Sequence, residues 1–104
     1  MIVVLCTVSN ADEGRQIART IVKEKLCACV NKIPSVTSYY VYDGEFCEDS
    51  EELLIIKTLK TSFEELKKRI EELHSYDTVE IVALEAEDVN ENYLNWVKGV
   101  VYDK

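Results

Sequence analysis

Residues 27–59 read CACVNKIPSVTSYYVYDGEFCEDSEELLIIKTL, and this segment predicts a long β-hairpin. Its two halves are rich in Val, Ile, Thr and Tyr, residues that suit a pleated and half-buried surface. Asp43-Gly44 lies between the halves and favours a type I′ turn, because both central residues of that turn need a positive φ. Alternation in the first half predicts two faces. One face carries Val36, Ser38, Tyr40 and Tyr42, and the other carries Thr37, Tyr39 and Val41.

The first arm of this hairpin is predicted to be an edge strand. Pro34 has no N–H group to donate, so it marks an edge or a bulge. A long exposed edge that ends in Tyr39, Tyr40 and Tyr42 promotes aggregation unless another strand pairs with it. We therefore expect other copies of the same chain to cover this edge. These tyrosines and Trp96 are expected to lie in the interface between copies.

The segment before the hairpin predicts a strand and a helix. Residues 1–8 form a continuous apolar run, which is typical of a strand buried on both faces. A helix begins at Asn10, and Glu13 stands three residues later, as in a capping box. Apolar residues then recur at spacings of three and four through Leu26, so one side of this helix faces a core.

The segment after the hairpin completes the predicted fold. A second helix begins at Thr61 or Ser62 and ends near residues 74–76, residues 78–86 form a fourth strand, and residues 90–101 form a third helix. The order β-α-β-β-α-β-α is the split βαβ arrangement of ferredoxin-like α+β folds, with an added C-terminal helix. Residues 1–104 are thus expected to form one domain, with the first and third strands central. Both crossover helices then cover one face of the sheet, and other copies are expected to cover the opposite face.

Composition excludes several classes of partner. The net charge is −8, which argues against nucleic acid, since phosphate binding needs clustered Lys and Arg. No stretch approaches the roughly 20 apolar residues that span a bilayer. The N-terminus lacks the pattern of a signal peptide. We expect a cytoplasmic protein whose four cysteines stay reduced.

Three residues could carry chemistry. Cys6 precedes a helix N-terminus, a position that favours a thiolate able to bind metal or act as a nucleophile; a buried core thiol is the alternative. His74, the single histidine, either caps the second helix or binds a ligand. Lys57 interrupts an apolar strand, so it pairs with Glu51 or Glu80, or contacts an anionic ligand between subunits. The other cysteines are expected to be core residues (Cys27 and Cys29) or exposed (Cys47).

A set of short motifs resembles the CutA divalent-cation tolerance proteins over nearly the whole chain. The motifs are Ala28-Cys-Val-Asn31, Pro34, Ser38-Tyr-Tyr40, Gly44, Glu51-Glu52, Lys57-Thr58, His74-Ser-Tyr76, Glu80-Ile81 and Tyr93-Leu-Asn-Trp96. The resemblance implies a ferredoxin-like protomer in a tight homotrimer, similar in architecture to PII signalling proteins. It also implies a role in metal-ion tolerance, with copper or another divalent cation as the ligand.

The resemblance also implies site residues. Some family members with evidence for copper binding use a cysteine that matches Cys6 and two consecutive histidines. This chain keeps the second as His74, and Leu73 replaces the first. A site of Cys6 and His74 has fewer than the three or four ligands of a firm copper or zinc site, so water or another subunit would complete it. Further candidates for a ligand cleft between subunits are Asn31, Glu51, Lys57, Tyr76 and Glu80.

Three functions compete at this point. The first is a trimeric protein that binds copper or another divalent metal ion. The second is a PII-like regulator or a scaffold, which binds a small ligand between subunits or none, without a physiological metal. The third is an enzyme with Cys6 as nucleophile and His74 as base. The sequence has no Gly-rich phosphate loop or nucleophile elbow, so we expect no enzymatic activity.

Overall fold

The computed structural model describes residues 1–102 and has the predicted order of elements. The elements are β1 (Ile2–Val8), α1 (Ala11–Lys23), β2 (Cys29–Tyr42), β3 (Glu45–Thr58), α2 (Phe63–Leu73), β4 (Val82–Glu85) and α3 (Glu91–Tyr102). The strands form one antiparallel sheet in the order β2-β3-β1-β4. The expectation that β1 and β3 are central strands is therefore confirmed.

The hairpin has the predicted turn and bulge. Asp43 and Gly44 have φ values of 52° and 79°, the positive pair that a type I′ turn requires. The β2–β3 register shifts between Ile33 and Val36, around Pro34. Beyond the bulge, Tyr40 and Tyr42 share one face of the hairpin as predicted. This face of the hairpin therefore continues without interruption from the bulge to the turn.

The core lies on one face of the sheet. Alternate β1 residues from Ile2 to Val8 are buried under α1 and α2, while the residues between them remain partly exposed. On the opposite face, α3 covers only one end, where Val97 and Val101 pack near Leu59. Within the single chain, β1 is therefore buried on the face that α1 and α2 cover, in agreement with the predicted placement of both crossover helices on one face. Burial of its other face by another copy stays a prediction. We call the remainder of the opposite face the uncovered face, and it includes Val3, Leu5, Ile33, Ile55, Val82 and Leu84.

One capping contact and two element boundaries differ from the predictions. Asn10 caps α1 as expected, but Glu13 reaches back to Ser9 rather than to Asn10. A 3-10 turn precedes α2, so Ser62 already has a helical conformation and its side chain makes no capping bond. Strand β4 covers only Val82–Glu85, and residues 78–80 line a cleft instead of pairing with β1. Among residues 1–102, no helix is long and apolar enough to cross a membrane.

Candidate functional site

A cleft of about 790 Å³ lies between the hairpin and the segment that follows α2. One wall is the face of the hairpin on which Ser38, Tyr40, Tyr42, Cys47 and Glu51 lie, and the other wall is formed by residues 75–80. This volume falls within the range of small-molecule sites in proteins. The cleft is therefore a candidate site for a small ligand.

Glu51 is a nearly buried carboxylate in this cleft. The residue is 6% exposed, and its Oε2 accepts a hydrogen bond of 2.7 Å from the hydroxyl group of Tyr76. Burial and this bond raise the pKa of Tyr76, so the phenol stays protonated and acts as the donor. One bond is fewer than a carboxylate can accept, so Glu51 can still bind a cation or a hydrogen-bond donor.

The electrostatic character of the cleft is negative. Asp77 and Glu80 line it together with Glu51, and none of the lining residues in the described part of the chain is Lys, Arg or His. Tyr40 donates to Asp49 from the hairpin wall. This bond raises the pKa of Tyr40. The arrangement attracts cations and repels anions.

His74 joins the end of α2 to β1. Its imidazole ring is buried, its Nδ1 accepts from the backbone N–H of Tyr76 at 3.1 Å, and its Nε2 lies 2.8 Å from the carbonyl oxygen of Thr7. Because Nδ1 is an acceptor, the hydrogen-bond network assigns the proton to Nε2, which donates to Thr7. The ring thus donates a hydrogen bond to a carbonyl group of β1 and not to the carbonyl groups at the end of α2. Both ring nitrogens are engaged.

Cys6 has the surroundings of a core residue. It is fully buried between the sheet and the helices, and burial, with a smaller contribution from nearby carboxylates, raises the pKa of its thiol to about 12. Within residues 1–102, no cluster of three or more His, Cys, Asp or Glu side chains could hold a metal ion. Cys6 and His74 therefore do not fit a metal site in the single chain. The role of Cys6 and His74 as metal ligands stays a prediction, and such a site would need further ligands from outside the single chain.

Glu13 holds the far wall of the cleft in place, a role that the sequence did not indicate. Its Oε1 accepts from the backbone and hydroxyl groups of Ser9, both at 3.0 Å, and its Oε2 accepts from the backbone N–H of Ser75 at 2.9 Å. Burial acts to raise the pKa of Glu13, but the hydrogen bonds from Ser75 and Ser9 outweigh it, so the pKa is lowered. In the sequence, the capping-box spacing of Asn10 and Glu13 was the one local feature that indicated a structural role for Glu13.

Asn31 and Lys57 form a separate pair away from the cleft. The Lys57 ammonium group contacts the Asn31 side-chain oxygen across strands β2 and β3, on the uncovered face. The expectation that Lys57 pairs with Glu51 or Glu80 is wrong, since no Asp or Glu carboxylate in the described chain forms an ion pair with it. The five cleft candidates thus divide into Glu51, Tyr76 and Glu80 in the cleft, and Asn31 and Lys57 outside it.

The four aromatic residues expected in an interface are exposed in the single chain. Tyr39, Tyr40 and Tyr42 lie along β2, and Trp96 lies on α3, where it packs against Tyr93 with ring centroids 5.6 Å apart. Their exposure leaves them available for contact with another chain. The interface itself stays a prediction.

Comparison with known proteins covers almost the entire chain. Residues 2–100 match the family model described as CutA1 divalent ion tolerance protein. The divalent-cation tolerance protein CutA of Thermus thermophilus is 46% identical over 96 residues, which cover 92% of this chain and 93% of that protein. The chloroplastic protein CutA of Arabidopsis thaliana is 44% identical over 98 residues, and this chain spans about half of its length.

Solved structures agree in fold. The divalent cation tolerance protein from Thermus thermophilus superposes with a TM-score of 0.90 at 46% identity, over 93% of this chain and 95% of that one. CutA1 from Oryza sativa superposes with a TM-score of 0.93 at 41% identity, over 95% of this chain and 91% of that one.

The fold and the cleft thus define a small α+β protein with a ferredoxin-like sheet and an acidic, tyrosine-lined cleft beside its long hairpin. Within that class, the chain belongs to the CutA1 divalent ion tolerance family. The resemblance stated from the sequence motifs is therefore confirmed.

Proposed function

We propose that this protein is a homotrimeric divalent-cation tolerance protein whose acidic cleft binds divalent metal ions. The observation that carries the proposal is the nearly buried carboxylate of Glu51, which lies in a cleft with Asp77 and Glu80 and without a basic residue among the described lining. Membership of a family named for divalent ion tolerance supports it.

The donor atoms of the cleft favour hard cations. Carboxylate and hydroxyl oxygens suit magnesium, calcium or manganese, whereas copper and zinc prefer sulfur and imidazole ligands. Cys47 is the sulfur-bearing residue among the described lining. Since the carboxylates do not form a closed ligand set in one chain, water or a neighbouring copy would supply the remaining ligands. Copper at Cys6 and His74 remains the competing assignment.

The trimer is proposed because the single chain leaves large apolar side chains exposed. Leu84 is 51% exposed on the uncovered face, and Val41 and Phe46 are about 70% exposed on the hairpin tip. Burying such residues yields about 1.5–3 kcal/mol each, so covering several of them would contribute as much as the whole stability of a small domain. Neighbouring copies related by rotation cover both an open face and an open edge in a closed ring.

Calorimetric titration with Mg²⁺, Mn²⁺, Zn²⁺ and Cu²⁺ tests the metal proposal. We expect Glu51→Gln to weaken divalent-ion binding by about tenfold or more, since it removes a charge that the ion would contact. Glu71→Gln, which changes an exposed carboxylate on α2, should leave the affinity unchanged. Binding that survives Glu51→Gln but is lost in both Cys6→Ala and His74→Ala would overturn the cleft assignment.

A second candidate function is a PII-like regulator that binds a small organic ligand between subunits. The cleft volume of about 790 Å³ favours it, because this space is much larger than a single metal ion needs. Absence of divalent-ion binding at all tested concentrations, with retained trimeric assembly, would favour this function over the first.

A further inference from the structure

His74 lies behind the wall of the cleft and contacts two residues that line it. Its side chain is fully buried, and His74 itself is not among the described residues of the lining. Its Nδ1 accepts a hydrogen bond of 3.1 Å from the backbone N–H of Tyr76, and its Nε2 lies 2.8 Å from the carbonyl oxygen of Thr7. Tyr76 and Thr7 both line the cleft. The histidine therefore joins two parts of the wall from behind.

A metal ion on the imidazole ring of His74 would break one of these two contacts. At Nδ1 the ion would take the lone pair that accepts from the backbone N–H of Tyr76, and at Nε2 it would replace the proton that donates to Thr7. Either change would leave a polar backbone group without its partner beside a buried ring. The ring is therefore arranged to support the wall and not to bind an ion.

The contact of His74 with Tyr76 continues to the carboxylate of Glu51. The imidazole and phenol rings pack together with their centroids 4.7 Å apart, and the phenol hydroxyl donates a bond of 2.7 Å to Oε2 of Glu51. His74 thus holds Tyr76 by its backbone N–H and by its ring, and Tyr76 holds the carboxylate. The hydrogen-bonding partners of a metal ligand fix its orientation, and losing one typically weakens metal binding by about 10–100-fold.

We propose that His74 is a positioning residue for the cleft, which holds Tyr76 in the place where Tyr76 orients the carboxylate of Glu51 toward a divalent cation. This inference rests on the proposed function, and it adds a residue that acts on the ion without touching it. It also opposes the competing assignment, in which His74 is itself a metal ligand together with Cys6.

Two substitutions separate the two nitrogens of the ring. Asn carries a side-chain oxygen at the position of Nδ1 and can accept an N–H group two residues later, as in an Asx turn. Gln carries an amide nitrogen near the position of Nε2 and can donate to Thr7. We expect His74→Asn to keep the Kd for Mn²⁺ within about threefold, whereas His74→Gln and His74→Ala should raise it by about tenfold or more.

Two further variants show how His74 acts. In a Tyr76→Phe background, His74→Ala should cause little further loss of Mn²⁺ affinity, because the bond through which His74 acts is already absent. Val97→Ala removes buried methyl groups beneath α3, away from the cleft, so it should lower stability and leave the Kd unchanged. Equal losses for His74→Asn and His74→Ala, or a full loss for His74→Ala in the Tyr76→Phe background, would overturn the inference.

Electron spin echo spectroscopy of bound Mn²⁺ tests the competing assignment directly. His74 is the only histidine in the sequence, so coupling of the ion to an imidazole nitrogen would identify His74 as a ligand. We expect no such coupling. Its presence would overturn the positioning role.

A measurement without metal separates this inference from the proposed function. In protein labelled with ¹³C at the tyrosine Cζ, the NMR signal of Tyr76 reports the hydrogen bond of its hydroxyl group, and Tyr76→Phe identifies this signal. We expect the signal to move toward that of a solvated phenol in His74→Ala and to stay in place in His74→Asn. An unmoved signal in His74→Ala would overturn the positioning role. The expected movement without any Mn²⁺ binding would confirm that His74 positions Tyr76 and would overturn the metal proposal alone.

Discussion

The hydroxyl group of Tyr76 donates a hydrogen bond of 2.7 Å to Oε2 of Glu51, joining the segment after α2 to strand β3 across the cleft. Tyr76→Phe keeps the ring and removes this bond, so the nearly buried carboxylate loses its donor. We expect the free energy of unfolding to fall by about 1–3 kcal/mol. Tyr39→Phe removes a hydroxyl group from a residue that is 64% exposed and should change stability by less than about 0.5 kcal/mol.

Chemical denaturation of both variants at one protein concentration measures the difference, since the concentration affects the stability of an assembled protein. Equal stability of Tyr76→Phe and the unmodified protein would show that Glu51 does not depend on Tyr76.

Glu13 is predicted to make stability depend on acid pH. Its pKa is lowered in the folded state from an unfolded value of about 4.3. Its stabilising contribution is therefore complete above the unfolded pKa and is lost as the pH falls through the folded pKa. Glu13→Gln should cost about 1–2 kcal/mol at neutral pH, because it replaces charge-assisted hydrogen bonds from Ser9 and Ser75.

Denaturation at a series of pH values measures this contribution. The gap between Glu13→Gln and the unmodified protein should be constant above about pH 5 and shrink below it. Asp12→Asn, which changes a neighbouring exposed carboxylate at the start of α1, should cost less, about 0.3–1 kcal/mol. A gap that widens on acidification would contradict the account of Glu13.

Cys6 is expected to be unreactive. Burial limits access to its thiol and also raises the pKa of that thiol, which reduces the thiolate fraction. Alkylation by iodoacetamide at neutral pH should therefore be slower at Cys6 than at Cys47 by about 100-fold or more. Cys47 is partly exposed and lines the cleft. Mass spectrometry of the labelled peptides over time gives both rates. Faster labelling of Cys6 than of Cys47 would support the nucleophile hypothesis instead.

Lys57 is expected to matter for assembly. It lies on the uncovered face among apolar side chains and contacts Asn31. Lys57→Glu would place a carboxylate on this face, and burying it against another copy would cost several kcal/mol. We expect the assembled form to dissociate at protein concentrations where the unmodified protein stays assembled. Lys60→Glu, at an exposed position before α2, should assemble normally. Unchanged assembly of Lys57→Glu would place this residue outside the interface.

Local signals in the sequence were sufficient for most of the fold. The Asp43-Gly44 turn, the bulge at Pro34 and the cap at Asn10 depend on residues that are neighbours in the chain, and all three are present. The order of strands followed from the two apolar runs and the handedness of crossovers. The apolar run of β1 predicts burial on both faces, but the run alone does not reveal whether its own chain or another copy covers the second face.

The contacts that shape the candidate site join residues far apart in the sequence. Glu13 and Ser75 are 62 positions apart, and His74 and Thr7 are 67 apart. No sequence pattern around these four residues indicates which residue each of them contacts. The contact of Lys57 with Asn31 likewise joins residues 26 positions apart, and neither side chain alone indicates the other.

Sedimentation equilibrium of the unmodified protein at micromolar concentration tests most directly the claim that a lone protomer is incomplete. The account predicts one species of about three times the chain mass of 11.9 kDa. A folded and stable species of 11.9 kDa would contradict it, because the exposed residues of the uncovered face and the hairpin tip would then remain in water.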